Sequence, residues 1–329
     1  MGRAQRWGHR DGRVRGGPRS GGLGRAVKVA ALAALMVPLT TGCSVDEVLR
    51  FGWPVGVTPQ AENMRTLWTW SVVAALVVGF ITWGAMFWAM IFHRKRAGDD
   101  DVPPRQTQYN LPVEIVFTVV PTIIVAVLFA FTVQVQNNVN DLTGDPDAVR
   151  VDITGFQWNW TFAYPETRTP TGAPITTIGT SDTIPLLVLP TDRTIEFTQR
   201  SNDVIHSFFV PEFLFKRDVF PYPEKNNQRN IWRIEQIDRE GAFVGRCAEF
   251  CGSYHAAMNF EVRALRAELF DRYLQLRSQV NPATNAAYTA GEALQTLNCG
   301  EWCAPSAITT TPFKTNRTVR SATLPPAGS

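Results

Sequence analysis

Several features that would narrow the function at once are absent from this sequence. It has no Cys-x-x-Cys-His motif, which excludes a covalently attached c-type haem in this chain. Its formal net charge is only +3 over 329 residues, which provides no large basic face for nucleic acid. Residues 66–92 contain no charged side chain, as expected of a segment that lies in a membrane.

The N-terminus has the pattern of a secretion signal. Basic side chains dominate residues 1–28, where Asp11 is the only acidic residue, and the apolar run AVKVAALAALMVPL leads on from them. This pattern predicts a signal peptide over residues 1–42. The small residue before Cys43 in LTTGC resembles a bacterial lipoprotein cleavage site, which predicts a lipidated Cys43. Thr40 departs from that pattern, so ordinary cleavage nearby and an uncleaved anchor remain alternatives.

Two later segments are long and apolar enough to cross a membrane. Residues 66–92 and 111–136 both exceed a hydrocarbon core of about 30 Å at about 1.5 Å per helical residue. We expect Pro121 to kink the second helix because its ring removes one helical hydrogen bond. The sequence thus predicts a transmembrane hairpin over residues 63–137.

A basic cluster predicts the orientation of this hairpin. The connection between the spans begins with His93, Arg94, Lys95 and Arg96. Positive charge at the end of a span marks the cytoplasmic side. We therefore expect the lead over residues 43–62 and everything after residue 137 on the outer face of a bacterial cytoplasmic membrane, with the chain crossing it more than once.

A pattern of short strands begins near residue 148. Runs such as VRVDITGFQWNWTFAY and LLVLPTDRTIEFTQ are rich in β-branched and aromatic residues, and turn-forming residues separate them. Strands without long helices between them predict an all-β sandwich or Greek-key barrel over residues 148–270. Residues 165–183 lack apolar periodicity and are expected to form a surface hairpin or loop.

The remaining residues, 271–329, are predicted to form a short helix and a poorly ordered tail. The tail from Asn281 is rich in Ala, Thr and Pro. Cys299 and Cys303 lie within it in NCGEWC, and in an oxidising compartment we expect a disulfide between them. A further metal site is the alternative interpretation of this pair.

The run CAEFCGSYHAAM holds Cys247, Cys251, His255 and Met258, and His206 lies upstream in VIHSFFVP. Thiolate and thioether sulfur with imidazole nitrogen suit copper in electron transfer, whereas structural zinc usually takes Cys and His without Met. Two cysteines exceed the single one of a mononuclear blue-copper centre, so two bridged coppers are favoured. A disulfide or a zinc loop would explain the cysteines, but neither explains the methionine or the distant histidine.

This pattern resembles the binuclear CuA site of the cytochrome c oxidase subunit 2 family. The resemblance implies that the two cysteines bridge two copper ions, that each histidine binds one copper, and that the methionine sulfur and the glutamate backbone oxygen are axial. All six positions are filled: His206, Cys247, Glu249, Cys251, His255 and Met258. It also implies a cupredoxin-like fold for residues 148–270, with the ligands at one end of a Greek-key barrel.

The resemblance assigns further roles to aromatic and acidic side chains. The family's Gln-Trp-Tyr-Trp run matches QWNW here, which implies that the electron enters at Trp158, although Asn159 replaces the tyrosine. The alternative is that Trp158 packs in a core. The Glu249 side chain is expected to bind Mg or Mn shared with subunit 1, since such ions prefer oxygen ligands. Glu114 matches the mouth of the family's proton path, or simply extends to the interface.

Two aspartates resemble the family's carboxylates that attract the lysine-rich rim of cytochrome c. They are Asp203 and Asp218, on either side of His206 in the chain. Paired charges of this kind mainly raise the association rate. Lys216 and Arg217 weaken the negative patch, and solvated surface charges are the alternative.

The resemblance as a whole implies subunit 2 of a bacterial aa3-type, proton-pumping oxidase. Cytochrome c or a membrane-tethered c-type cytochrome would supply the electron, and haem in subunit 1 would receive it for reduction of dioxygen to water. Quinol oxidase subunits lack the copper ligands, and nitrous oxide reductase lacks the hairpin. The remaining alternative is a copper-binding lipoprotein of the outer face, for storage or delivery.

Overall fold

The computed structural model describes residues 44–94, 106–143 and 145–310. The expected signal peptide, the lipidation candidate Cys43, and Lys95 and Arg96 of the basic cluster lie outside these residues. The chain divides into two units, Met1–Gly52 and Trp53–Ser329. In the first unit, a short helix α1 (Val45–Leu49) begins with a capping box between Ser44 and Glu47.

Two long apolar helices confirm the membrane hairpin. Helix α2 spans Pro59–Phe92, and the Thr58 hydroxyl caps it by accepting from the Ala61 amide at 3.1 Å. Helix α3 spans Leu111–Val139 and continues through Pro121. Their most apolar windows have mean hydropathies of 2.0 and 2.6, and none of those residues is buried within the chain. Such uniformly apolar, unburied helices are suited to contact with lipid or with other membrane helices.

Two five-stranded sheets form the β domain, which confirms the predicted all-β class. The strands are β1 (Val149–Phe156), β2 (Asn159–Arg168), β3 (Pro174–Ile178), β4 (Leu186–Pro190), β5 (Ile195–Ser201), β6 (His206–Val210), β7 (Phe215–Val219), β8 (Ile231–Ile234), β9 (Gly241–Cys247) and β10 (Asn259–Leu265). In the first sheet, the order is β3-β2-β1-β5-β8, and in the second it is β4-β10-β9-β6-β7. Most neighbours are antiparallel, but β1 with β5 and β4 with β10 are parallel.

Aromatic side chains fill the space between the sheets directly behind the cysteine-containing loop. Trp160 is fully buried, and its ring centroid lies 5.4 Å from that of Phe260, which stacks on Phe208 at 4.6 Å. Such pairs contribute about 0.5–1.5 kcal/mol each beyond the area they bury. Trp158 does not share this core face, because β1 ends at Phe156 and β2 begins at Asn159, which leaves Trp158 in a two-residue turn.

The described part of the C-terminal region, which ends at residue 310, is folded. Helix α4 (Ala267–Arg277) is followed by the strand pair β11 (Val280–Asn281) and β12 (Ala286–Ala287), and helix α5 (Ala290–Leu297) follows that pair. Cys299 and Cys303 are joined as a disulfide with sulfur atoms 1.98 Å apart. The prediction of a poorly ordered tail from Asn281 is therefore wrong for residues 281–310.

A buried ion pair explains why this tail is held in place. Arg263 Nη2 lies 2.5 Å from Glu261 Oε1 on β10, and both side chains are fully buried. Such a pair is stable only when its remaining hydrogen-bonding capacity is satisfied. The tail supplies those partners: the arginine donates to the carbonyls of Trp302, Ala304 and Ser306, and the glutamate accepts from the amides of Ile308 and Thr309.

Candidate metal centre

The sulfur and imidazole side chains meet at one end of the second sheet, where β6 begins and β9 ends. His206 is the first residue of β6, and Cys247 is the last residue of β9, the neighbouring strand. A loop then carries Cys251 and a short 3₁₀ turn that starts at His255. Met258 ends that turn immediately before β10 and is fully buried. Residues far apart in sequence thus meet because β6, β9 and β10 are adjacent.

The two cysteines are reduced, and their sulfur atoms lie 3.8 Å apart. That separation is about twice the length of a disulfide bond, so the structure has no Cys247–Cys251 disulfide. It still allows both sulfurs to bond the same metal ion at about 2.3 Å, the usual metal–thiolate distance for zinc. The pair can therefore bridge metal ions.

Each histidine presents one ring nitrogen to one sulfur. His206 Nδ1 lies 3.9 Å from Cys247 Sγ, and His255 Nδ1 lies 3.5 Å from Cys251 Sγ. A nitrogen and a sulfur that bind one ion at about 2.0 and 2.3 Å can be up to about 4.3 Å apart, so both separations fit shared coordination. The buried group of His206, Cys247 and Cys251 has all its ligand atoms within 4.8 Å of one another.

Two weaker donors complete the set. Met258 Sδ lies 3.8 Å from Cys251 Sγ, and the Glu249 backbone oxygen lies 3.3 Å from Cys247 Sγ. The thioether therefore lies beside one cysteine sulfur and the carbonyl oxygen beside the other. Two metal ions with different surroundings fit this arrangement better than one tetrahedral zinc ion. The donor chemistry and the distances fit a pair of copper ions.

Asp203 fixes the orientation of His206. Its Oδ1 lies 2.8 Å from His206 Nε2, so the neutral ring donates from Nε2 and leaves Nδ1 as an acceptor facing Cys247. The backbone amides of Gln157 and Val204 donate to the same carboxylate at 2.7 Å each. Burial lowers the pKa of His206, while the aspartate opposes that shift, and the neutral ring is the form that binds a metal.

The environment of Cys251 disfavours a free thiolate. Burial, followed by the proximity of Cys247, raises the pKa of Cys251 to about 12. A metal ion must therefore displace the proton to bind this sulfur, and binding releases protons. A metal ion bound there would balance the charge of the deprotonated sulfur.

The turn between β1 and β2 is attached directly to the metal-binding loop. Trp158 Nε1 and Gln157 Nε2 both donate to the Cys251 backbone oxygen, at 2.9 and 2.8 Å. The indole also lies edge-on to Tyr254, with ring centroids 5.1 Å apart. Gly252 has a φ of +116°, and a side chain there would approach the indole to 3.1 Å. The half-buried Trp158 thus connects the protein surface to the residue that holds a ligand sulfur.

The acidic residues predicted near the site lie in different surroundings. The Glu249 side chain is 44% exposed, and its nearest cation among the described residues is Lys216, with Nζ 3.6 Å from Oε2. The same lysine pairs with Asp218 at 2.8 Å. Glu114 lies in the first turn of α3, where its carboxylate accepts from the Asn110 amide at 3.1 Å. It is therefore a capping residue of the hairpin and takes no part in the metal centre.

Sequence reasoning missed two features of the site. Asp203 was expected to be a surface carboxylate, whereas it holds His206; its position three residues before the histidine was the available signal. Phe250 is 79% exposed beside the centre, with its ring 5.8 Å from that of His255. The ring is therefore available for contact with another protein, and its position between Cys247 and Cys251 was the signal in the sequence.

Comparisons with known proteins agree with this architecture. Residues 149–265 match the family described as cytochrome c oxidase subunit II, periplasmic domain, and residues 47–135 match its transmembrane domain. A probable cytochrome c oxidase subunit 2 from Nocardia farcinica is 45% identical and covers 94% of both chains. Its counterpart from Mycobacterium bovis is 43% identical, covering 91% of this chain and 92% of the relative.

Among solved structures, the periplasmic domain of cytochrome oxidase subunit II from Bradyrhizobium japonicum is 25% identical with a TM-score of 0.33. It covers 41% of this chain and 95% of that one. The sequence identities over nearly the whole length, together with the two matched domains, establish the relationship. The chain belongs to the cytochrome c oxidase subunit 2 family.

Proposed function

We propose that the chain is the electron-receiving subunit of a bacterial aa3-type, proton-pumping cytochrome c oxidase. The convergence of two thiols, two imidazoles, one thioether and one carbonyl carries this proposal, because that donor set fits a pair of copper ions. Copper held there would take up and release one electron at a time. The strands fix the donors, so little rearrangement accompanies the change of charge.

The electron enters beside Trp158 in this proposal. Its indole lies at the surface and its N–H reaches the Cys251 carbonyl, which supports a short path from a docked cytochrome c to a bridging sulfur. Asp203 and Asp218 contribute negative charge to the docking face, although Lys216 neutralises part of it. The lysine-rich rim of a cytochrome c would be attracted there.

In this proposal the electron leaves the metal centre on the side of Glu249 and Phe250. Both side chains are exposed, and both belong to the loop between the bridging cysteines. Subunit 1 would cover this surface and receive the electron at its haem, where dioxygen is reduced to water. The Glu249 carboxylate would then hold Mg or Mn at the subunit boundary, where oxygen ligands suit such an ion. Glu114, at the start of α3, would lie at the mouth of a proton path.

The proposed location is the bacterial cytoplasmic membrane, with the β domain on the outer face. The basic cluster at the end of α2 and the N-terminal signal pattern support this orientation. After export and cleavage of the signal peptide, Cys43 would carry the lipid anchor. These assignments rest on sequence pattern.

Copper counting and electron paramagnetic resonance on the full-length chain in detergent test the proposal. We expect two copper ions per chain and one unpaired electron shared equally by two nuclei. Cys251→Ser should abolish that signal and the oxidation of cytochrome c by the assembled oxidase. The matched control is Ser253→Ala, which changes an exposed side chain in the same loop without removing a donor of the set.

One copper ion per chain, or normal turnover of the Cys251→Ser oxidase, would contradict the proposal. The rival function, a copper storage or delivery lipoprotein, predicts that copper passes readily to a chelator or to a second protein. Copper that stays bound through many turnovers of cytochrome c oxidation excludes that rival.

A further inference from the structure

A groove with one cationic end lies where the membrane hairpin meets the β domain. It has a volume of about 450 Å³, with Trp68 and Val135 on its helix side and Phe215 and Arg217 on its strand side. A second groove of about 810 Å³ lies between α2 and α3, and the two share Leu67, Ser71 and Val135 as lining residues. The grooves are thus adjacent, with apolar side chains along the helices and cationic ones beside the β domain.

Arg217 is only partly satisfied at this end of the groove. Its Nη2 donates to Asn140 Oδ1 at 2.6 Å, and its Nε is buried without an acceptor. Within the described part of the chain, no carboxylate pairs with it. The ring of Phe215 lies 5.5 Å from the guanidinium carbon and holds it in place. A guanidinium has five N–H donors; here Nε is enclosed by protein and one donor of Nη2 is used, so the donors left for a ligand are on the two terminal nitrogens.

A second guanidinium lies close to the first. Arg229 Nη1 donates to the Asn140 backbone oxygen at 3.3 Å, so two arginines meet at the end of α3. Asn140 accepts one hydrogen bond from each arginine, through its side-chain oxygen for Arg217 and its backbone oxygen for Arg229. Burial, and then the charge of Arg229, lowers the pKa of Arg217, as expected of two cations near each other. An anion between them would remove that repulsion.

We propose that the groove binds one phospholipid of the adjoining leaflet, with its phosphate against Arg217 at the Asn140 end, where Arg229 adds positive charge, and an acyl chain along α2 and α3. Phosphate oxygens match the paired donors of a guanidinium. The stacked rings of Trp53 and Trp68, 5.3 Å apart, lie beside the same groove, where indoles favour the headgroup level of a membrane. The proposal is independent of the copper centre and of the direction of the chain across the membrane.

Native mass spectrometry of the full-length chain tests the lipid site. The detergent-purified, delipidated chain is titrated with dioleoylphosphatidylglycerol and, separately, with dioleoylglycerol, which has the same acyl chains but no phosphate. We expect one tightly retained phosphatidylglycerol, and at least about tenfold weaker binding of dioleoylglycerol, the scale of losing charge-assisted hydrogen bonds.

Two variants of different kinds locate the lipid. Arg217→Gln removes the charge, and Val135→Trp fills the groove without changing charge; each should weaken phosphatidylglycerol binding at least about tenfold. Arg229→Gln replaces the first variant if that one fails to fold. The matched control is Arg150→Gln, which removes an exposed arginine on β1 and should bind lipid as the wild type does.

Several results would overturn the proposal. They are the absence of a retained lipid on the wild-type chain, equal binding of the two lipids, and wild-type binding by either Arg217→Gln or Val135→Trp. Equal weakening by Arg150→Gln would show attraction to overall charge rather than a site. If another oxidase subunit fills the groove, the lipid would bind the isolated chain but be absent from the assembled oxidase. That result also counts against a lipid site in the working enzyme.

Discussion

Asp203 Oδ1 lies 2.8 Å from His206 Nε2, on the side of the ring opposite to the cysteine sulfurs. This contact decides which ring nitrogen faces the metal site. A carboxylate behind a histidine ligand fixes the tautomer and increases the basicity of the ligating nitrogen. The histidine is therefore set for metal binding before any metal arrives.

Replacement of this carboxylate should weaken copper binding. Asp203→Ala frees the ring of His206 to rotate, so we expect the copper dissociation constant to rise about 10–100-fold, the usual effect of losing such a partner. Competition against a chelator of known affinity measures it on the metal-free full-length chain. Asp182→Ala, in an exposed loop, is the control and should bind as the wild type does. Unchanged affinity in Asp203→Ala would show that the strand alone orients the histidine.

Substitution of Trp158 should slow electron delivery without changing copper binding. Trp158→Phe keeps an aromatic ring in the turn but removes the N–H that donates to Cys251. We expect cytochrome c oxidation by the assembled oxidase to slow, with the copper content of the chain unchanged. Stopped-flow reduction of the copper centre is the measurement. Trp83→Phe, on the apolar face of α2, should leave the rate as it is, and a slow Trp83→Phe oxidase would point to an assembly defect instead.

Removal of one partner of the buried Glu261–Arg263 pair on β10 should destabilise the fold. Arg263→Ala leaves the Glu261 carboxylate buried without its cation, and we expect a loss of about 3–5 kcal/mol in the free energy of unfolding. Arg150→Ala breaks exposed ion pairs and should cost no more than about 1 kcal/mol. Denaturant unfolding of the full-length chain compares them. Similar losses in the two variants would mean that the tail fails to shield the pair from water.

Gly252, between Cys251 and His255, should not tolerate a larger side chain, for two reasons. Gly252→Ala forces a side chain into a φ of +116° and into contact with the Trp158 ring. Backbone strain of this kind costs about 1–3 kcal/mol, and we expect lower copper occupancy as well. Gly172→Ala is the matched control, since φ is +85° there with no atom within 4 Å of the new carbon. Copper content and thermal stability are measured together; equal effects would remove the indole contact from the explanation.

The grouping of the candidate ligands was predictable because most of them lie in one short run of distinctive chemistry. Spacing alone places Cys247, Cys251, His255 and Met258 near one another, and only His206 needed the fold to bring it in. The hairpin was equally clear, since composition decides whether a helix suits a membrane.

Features that depend on pairing between distant residues were not predictable. The Ala, Thr and Pro content of the tail predicts poor order, and the strand pattern of β10 gives no sign that Glu261 and Arg263 hold residues 302–309. Similarly, strand alternation leaves core packing of Trp158 open as an alternative, whereas the chain turns back at Gln157 and redirects the ring. In both cases a local pattern was overruled by a contact with residues far away in the sequence.

The position of the tail also links the C-terminal region to the metal site. Glu261 and Arg263 have most of their hydrogen-bond partners only when residues 302–309 lie against them. Because β10 pairs with β9, which ends at Cys247, the strand that carries a candidate ligand shares a sheet with the strand that the tail completes. A chain cut before residue 302 would therefore leave two buried charges beneath the candidate metal site without most of their partners.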